Sequence, residues 1–327
     1  MNAKLNSPKL NTRLLKAVSR SFYLSIRIMP AKLRPAIGVA YMLARTSDTI
    51  ADTESAPPQV RLRRLAEFER IIKGGATPQA ITNIQRDIRP DHPGERTLID
   101  TMPQVLESFQ SLDGWEWKEI ADLMTSIIRG QSMDLETFQQ SGLITALPDA
   151  NMLEDYIYLV AGCVGEWWTR LCLNRIPQYS KIDDGELTEL GNNFGKGLQL
   201  VNILRDIPAD LAAGRCYLPD SELRNVGTSA EALASSPAEA EPVFDVWLHR
   251  ARELLDSGRQ YILSIRSRRT RMACYIPWRL GVETLDLLEQ NPPLSSGKKA
   301  KVSRGSVRSA LFAAFSVAFS DRRLMEA

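Results

Sequence analysis

The chain has 327 residues, with 41 Lys and Arg against 39 Asp and Glu, so its net charge of +2 sets aside the strongly basic surface that nucleic-acid binding uses. With 44% hydrophobic and 24% charged residues it has the composition of a globular protein with a large core, not of a disordered, collagenous or disulfide-stapled one. Four cysteines without CxxC spacing and two histidines, His92 and His249, signal neither a zinc site nor a Cys/His nucleophile, and the expectation is four reduced, buried thiols.

From the N-terminus, residues 1–18 have no apolar leader core and read as an extension. Apolar residues then recur at spacings of three and four, which predicts helices over 35–52, 59–72, 96–110, 115–138, 153–174, 184–211, 243–265, 271–290 and 303–319. Strand-like alternation is scarce, so the fold class is all-α. The breaks, TESAPP at 53–58, RPDHPG at 89–94, the Ala/Ser/Glu/Pro stretch at 228–242 and NPPLSSGKK at 291–299, are local and do not resemble interdomain linkers. One helical domain over 1–327 is expected, with 291–327 as a tail and terminal helix and a ligand cavity between the central helices. No run reaches the roughly 18 apolar residues of a spanning helix, and a cytoplasmic protein is expected. Residues 310–319, flanked by Arg304, Arg308, Arg322 and Arg323, predict a terminal core helix, with a helix lying at a membrane interface as the alternative.

Two segments put charge on one helical face. In YMLARTSDTIAD (41–52), Tyr41, Arg45, Asp48 and Asp52 fall within a stripe about 60° wide, and Ile37, Val39, Met42, Leu43 and Ile50 surround them with apolar residues. In LQLVNILRDIPAD (198–210), Gln199, Asn202, Asp206 and Asp210 span about 80°, with Arg205 beside Asp206 and Arg215 following. Carboxylates one turn apart repel, so a positive partner is expected between them. A single DxxxD is ordinarily a solvated face, but two of them, each extended by polar residues on the same stripe, point to binding. Hard oxygen ligands without His or Cys suit Mg²⁺, which is usually held by one or two carboxylates plus substrate phosphates, and Arg45, Arg205 and Arg215 suit the remaining diphosphate oxygens. Pro208 removes a backbone hydrogen bond inside the second motif and predicts that it lies at a helix end. Neither GxxxxGK[ST] nor a GxGxxG after a strand is present.

SRSFYLSIRIMP (19–30), YMLARTSDTIAD, GQSMDL (130–135), YIYLVAGCVGEWW (156–168), LQLVNILRDIPADLAAGRCYLP (198–219) and, more weakly, PWRLGVETL (277–285) together resemble the squalene/phytoene synthase family of head-to-head prenyl-diphosphate synthases. The resemblance implies a class I isoprenoid synthase bundle in which Asp48, Asp52, Asp206 and Asp210 hold Mg²⁺ on prenyl diphosphates. It implies diphosphate-binding or supporting roles for Ser21, Arg45, Gln199, Asn202, Arg205 and Arg215, and places Tyr41 and Tyr156 at the reacting centre. Ala209 stands where the family commonly has Glu, so an outer contact of the metal site is in doubt. Phe22, Tyr41, Tyr156 and Trp168 have aromatic faces suited to carbocations, although Phe22, Trp167 and Trp168 equally suit core packing. Gly162 and Gly165 either leave room for an isoprenoid chain or permit close helix packing.

The implied product is squalene, with NADPH reducing the final cation, and VAGCVGEWWTRLC (160–172) and KVSRGSV (301–307) resemble bacterial squalene synthases. Phytoene or dehydrosqualene, formed by proton loss without NADPH, is the alternative. Outside this class stand a terpene cyclase, disfavoured by the YxxxR before the first DxxxD, and a non-catalytic scaffold, which has no need of so many charges inside a bundle. Peripheral membrane contact is a further expectation, since the product is a hydrocarbon.

Overall fold

The computed structural model describes residues 26, 28–138, 143–297, 300–321 and 324. These form an all-α chain with one short pair of strands, and they group into two compact units, Met1–Leu135 and Glu136–Ala327. Ser21 and Phe22, and with them most of SRSFYLSIRIMP, lie outside the described residues.

The first unit is built around α1 (Arg34–Asp52), which packs on α2 (Pro58–Arg70), α4 (Pro93–Asp100) and α5 (Met102–Gln110). Pro35 starts α1 where a missing N–H costs nothing. Its buried face carries Ile37, Val39, Met42, Leu43 and Ile50. Thr46, Ser47 and Thr49 are buried too, and they are tolerated because each hydroxyl donates to a carbonyl of its own helix, at 2.8, 2.8 and 2.9 Å. The expected helix over 96–110 is two helices. Thr101 leaves helical geometry (φ −94°, ψ 9°), and Pro103, which cannot donate to a continuing ladder, falls in the first turn of α5. A further helix, α3 (Pro78–Asp87), follows a wide π turn at Ile71–Gly75. Thr77 caps it by accepting from the Ala80 N–H at 3.1 Å. The long helix α6 (Gly114–Thr137) closes the unit.

In the second unit the 29-residue helix α9 (Asp184–Ala212) is central. It packs on α8 (Cys163–Arg175), α11 (Glu241–Ser264), α12 (Arg268–Gln290) and the π segment Tyr158–Gly162, which joins α7 (Ala150–Ile157) to α8. The single helix expected over 153–174 is thus continuous but widened for one turn. Asp183 caps α9 by accepting from Gly185 and Glu186 N–H at 2.8 and 3.2 Å. Pro208 does not end the helix, which runs four residues further to Ala212. Gly214, at φ +78°, then turns the chain into β2 (Arg215–Pro219), which pairs in parallel with β1 (Thr145–Leu147). After β2 come the short α10 (Asp220–Asn225), then α11, α12 and α13 (Pro293–Ser296). The terminal helix α14 (Arg304–Val317) packs on α12. Only one face of it is the core helix expected of residues 310–319. Ala310, Ala313, Ala314 and Val317 are buried, whereas Phe312, Phe315 and Phe319 are 78%, 63% and 71% exposed. All four cysteines are free and buried, and burial pushes the thiols of Cys163, Cys216 and Cys274 up to about 12. Among the described residues no helix is long and apolar enough to cross a membrane.

Candidate active site

The α1 stripe survives as a physical feature of the first unit. Tyr41, Arg45 and Asp48 are half-buried and Asp52 is exposed at the last turn. Arg45 lies 3.9 Å from Asp48 and bonds Glu95 of α4, so the expected positive partner is present and is itself held by a second carboxylate. Gln131, from α6, donates to Asp48 Oδ1 at 2.6 Å, and the other polar atom of its amide, Oε1, is buried without a partner. The Asp48 side chain keeps 43% of its accessible area, yet it is hemmed in densely by protein. That burial, followed by repulsion from Asp52, pushes its pKa up to about 6, against the opposing pull of Arg45 and Gln131. Arg61 anchors the end of the stripe by donating to the Ala51 carbonyl at 2.6 Å.

The α9 stripe of the second unit is neutralised differently. Arg205 grips Asp206 with two bonds of 2.8 and 2.9 Å, and Arg215, set by the Gly214 turn, donates to Asp210 at 3.1 Å. Both aspartates lie in the last two turns of α9. Gln199 is half-buried and Asn202 exposed, and neither bonds another described residue. Further back along α9, Lys196 pairs with Glu154, which also accepts from Arg250 at 2.9 Å, and Asn192 donates to Glu166 at 2.6 Å. Tyr156 is buried and stacks on Tyr217 of β2 at 5.1 Å between centroids, and Phe138 meets Tyr217 edge-on at 5.2 Å.

The two readings of the glycines are separated by α9. A Cβ on Gly165 would sit 1.9 Å from the Gly191 carbonyl oxygen, and one on Gly162 would sit 2.7 Å from Asn192 Oδ1. The space before both glycines is therefore occupied by α9, and they permit close helix packing instead of making room for a chain. Trp168 is half-buried, and its indole nitrogen is buried without a hydrogen-bond partner among the described residues.

Chemically, Asp48 and Asp52 are a local excess of negative charge that a divalent cation relieves, and hard oxygen donors in that number suit Mg²⁺. Asp206 and Asp210 offer the same donor set once their arginines turn to other anions. Within neither unit do three or more candidate metal ligands cluster among the described residues, so each stripe supplies one pair. Glu95, Gln131 and Tyr217 were not singled out by sequence. Gln131 stood within GQSMDL and Tyr217 within the 198–219 segment, whereas Glu95 comes from a segment with no signal of its own.

The helical fold is shared with solved structures. TcSQS in complex with a ligand matches with a TM-score of 0.75 at 20% identity, over 97% of this chain and 90% of that one. The family model of squalene/phytoene synthase matches residues 15–306. A bifunctional lycopene cyclase/phytoene synthase of Pyrenophora tritici-repentis is 30% identical over 233 residues, 69% of this chain and 36% of the relative. A presqualene diphosphate synthase of Rhodopseudomonas palustris is 30% identical over 217 residues, 65% of this chain and 63% of the relative. The chain thus spans less than two thirds of the length of either relative. It belongs to the squalene/phytoene synthase family.

Proposed function

We propose that the chain acts as one isoprenoid synthase domain and joins two farnesyl diphosphates head to head through presqualene diphosphate, with NADPH reduction to squalene. The observation that carries the reading is the α1 stripe, where Asp48 and Asp52 stand one turn apart, Gln131 donates to Asp48 at 2.6 Å and Arg45 lies 3.9 Å from it, because a pair of carboxylates positioned in this way is a hard-oxygen donor set for a divalent cation. Mg²⁺ would be held by Asp48 and Asp52 on the α1 stripe and by Asp206 and Asp210 on the α9 stripe, and would neutralise the diphosphate leaving groups.

The chain's own residues do the rest. Gln131 fixes the Asp48 carboxylate. Arg45, Arg205 and Arg215, each now on a carboxylate, exchange that partner for diphosphate oxygens, which keeps the guanidinium positions set before substrate arrives. By the resemblance, Ser21, Gln199 and Asn202 would add polar contacts to diphosphate. Ionisation of the first substrate leaves an allylic cation. The second substrate's double bond attacks it to give the cyclopropylcarbinyl diphosphate, and a second ionisation with rearrangement gives the 1-1′ linkage. The resemblance assigns Tyr41 and Tyr156 to the reacting centre. The Tyr156–Tyr217 stack offers a π surface to positive charge, and Tyr41 or the released diphosphate takes the proton lost in the first half. NADPH use rests on the resemblance alone, and no residue of this chain is assigned to it. The reading places the enzyme in the cytoplasm, with peripheral contact at the inner membrane.

A second reading, favoured by the 30% identity to a phytoene synthase, ends in proton loss to dehydrosqualene or phytoene without NADPH. Incubation of the purified protein with farnesyl diphosphate and Mg²⁺, with and without NADPH, and mass analysis of the extract separates them. Squalene appearing only with NADPH, and all turnover lost in EDTA and restored by Mg²⁺, is the expected result. Dehydrosqualene regardless of NADPH supports the second reading. A C30 diphosphate as the end product would stop the reaction at its first half. Turnover of neither farnesyl nor geranylgeranyl diphosphate would overturn the catalytic reading.

A further inference from the structure

We propose that the α14 face of the second unit docks on an anionic lipid surface. At about 100° per residue, Arg308, Leu311, Phe312, Phe315 and Phe319 share a stripe about 100° wide. The opposite face, with Ala310, Ala313, Ala314, Val317 and Ala318, is buried. The small side chains therefore meet α12 and the large ones meet solvent, the reverse of what core burial favours. Every strongly exposed phenylalanine among the described residues is on this segment: Phe312, Phe315 and Phe319 are 78%, 63% and 71% exposed, and Leu311 adds 43%. A contiguous aromatic stripe of this kind marks an interaction surface.

Charge decides the occupant. Arg308 is exposed on the stripe itself, and Lys301 is exposed just before the helix. At the other end, α12 brings exposed Arg268 and Arg269 to the same place, with Arg266 just before them, and the Arg268 guanidinium lies 4.6 Å over the Phe319 ring. The carboxylates nearby are already engaged: Asp321 bonds Arg271 and lies 3.7 Å from Lys181, and Asp286 and Glu289 of α12 are held by Arg252. Two separate stretches of sequence thus bracket the aromatic stripe with cations that have no carboxylate partner among the described residues. Aromatic rings at acyl depth with cations at the level of anionic headgroups is the arrangement of an interfacial helix. A second protein copy with this face would oppose cation to cation. The inference does not rest on the catalytic reading.

The test is sedimentation of the full chain with vesicles of phosphatidylcholine alone or mixed with phosphatidylglycerol, without substrate, together with light scattering in solution. The expected result is binding to the anionic vesicles that weakens with salt. Phe312→Ser/Phe315→Ser should bind at least about tenfold more weakly, and Arg268→Gln and Arg308→Gln about fivefold each, with melting temperature and turnover like the parent. Equal binding to the two vesicle types, no binding, or equal binding of parent and variants would overturn the proposal. So would a dimer in solution that the double Phe variant abolishes, which would assign the face to a second copy. Turnover of farnesyl diphosphate is read separately, so its absence with vesicle binding intact bears only on the catalytic reading.

Discussion

At the scale of single residues, the two carboxylate stripes differ in how their charge is balanced, and that difference is testable. Asp48 is opposed by a carboxylate and steadied by an amide, whereas Asp206 is clamped by its own arginine. Asp48→Asn removes a cation ligand and is expected to lower turnover about a hundredfold or more with far-UV circular dichroism unchanged. Asp206→Asn should cost as much turnover, and because it also releases Arg205, substrate affinity should change less than turnover. Gln131→Leu tests the support under Asp48. The Gln131 hydrogen bond favours the ionised carboxylate, so its loss should move the acid limb of the turnover profile above about 6, toward neutral pH. If that limb stays in place, Gln131 is a packing residue. Burial and the Asp52 charge outweigh Arg45 and Gln131 and make Asp48 hold a proton more tightly, so a cation must compete with that proton below pH 6.

At the scale of elements, the second unit depends on backbone approaching backbone. The Gly165 and Gly191 contact lets α8 lie against α9 closely enough for Asn192 to reach Glu166. Gly165→Ala is expected to destabilise by about 1–3 kcal/mol or more, read from urea unfolding. Gly114→Ala at the start of α6, where an added Cβ meets nothing within 4 Å, should be neutral or stabilising by up to about 1 kcal/mol. The long helices and both charged stripes were legible in sequence because a 3.6-residue period repeats over several turns in α1, α6, α9, α11 and α12. Helix α3 was not, since its ten residues bury only Ala80 and Ile84, too few to set a period. Strands of three and five residues are too short for alternation to register. Glu95 reaches Arg45 of the α1 stripe and Tyr217 reaches Tyr156 from elsewhere in the chain, and only tertiary packing shows such partners. The open choice at Gly162 and Gly165 depended on what lay opposite, which a single sequence does not contain.

At the scale of the whole molecule, two carboxylates bias stability in opposite directions as pH changes. Arg86 and Arg64 hold Asp87 at about 2 against an ordinary 3.8. The folded state therefore gives up that proton more readily than the unfolded chain, and the stabilisation, complete above pH 4, is lost as pH falls toward 2. Asp48 has the opposite sign. At about 6 against 3.8, the folded state takes up the proton first, so the ionised group costs stability at neutral pH, and the cost fades as pH falls through 6 toward 4. Asp87→Asn is expected to destabilise at pH 7 by about 1–3 kcal/mol, because it takes a partner from the buried Arg64, and the difference from the parent should vanish near pH 2. Asp48→Asn is expected to stabilise at pH 7 by on the order of 1 kcal/mol, since its partly exposed side chain is screened by solvent, and that gain should vanish near pH 4. Melting temperature measured against pH for the parent and both variants gives three curves. If the two variants converge on the parent from opposite sides, the Asp87 variant from below near pH 2 and the Asp48 variant from above near pH 4, the site carries a strain that function requires and the ion-paired periphery offsets. Curves that run parallel to the parent would show that neither carboxylate is perturbed by folding, and the cation-binding reading of the α1 stripe would lose its physical basis.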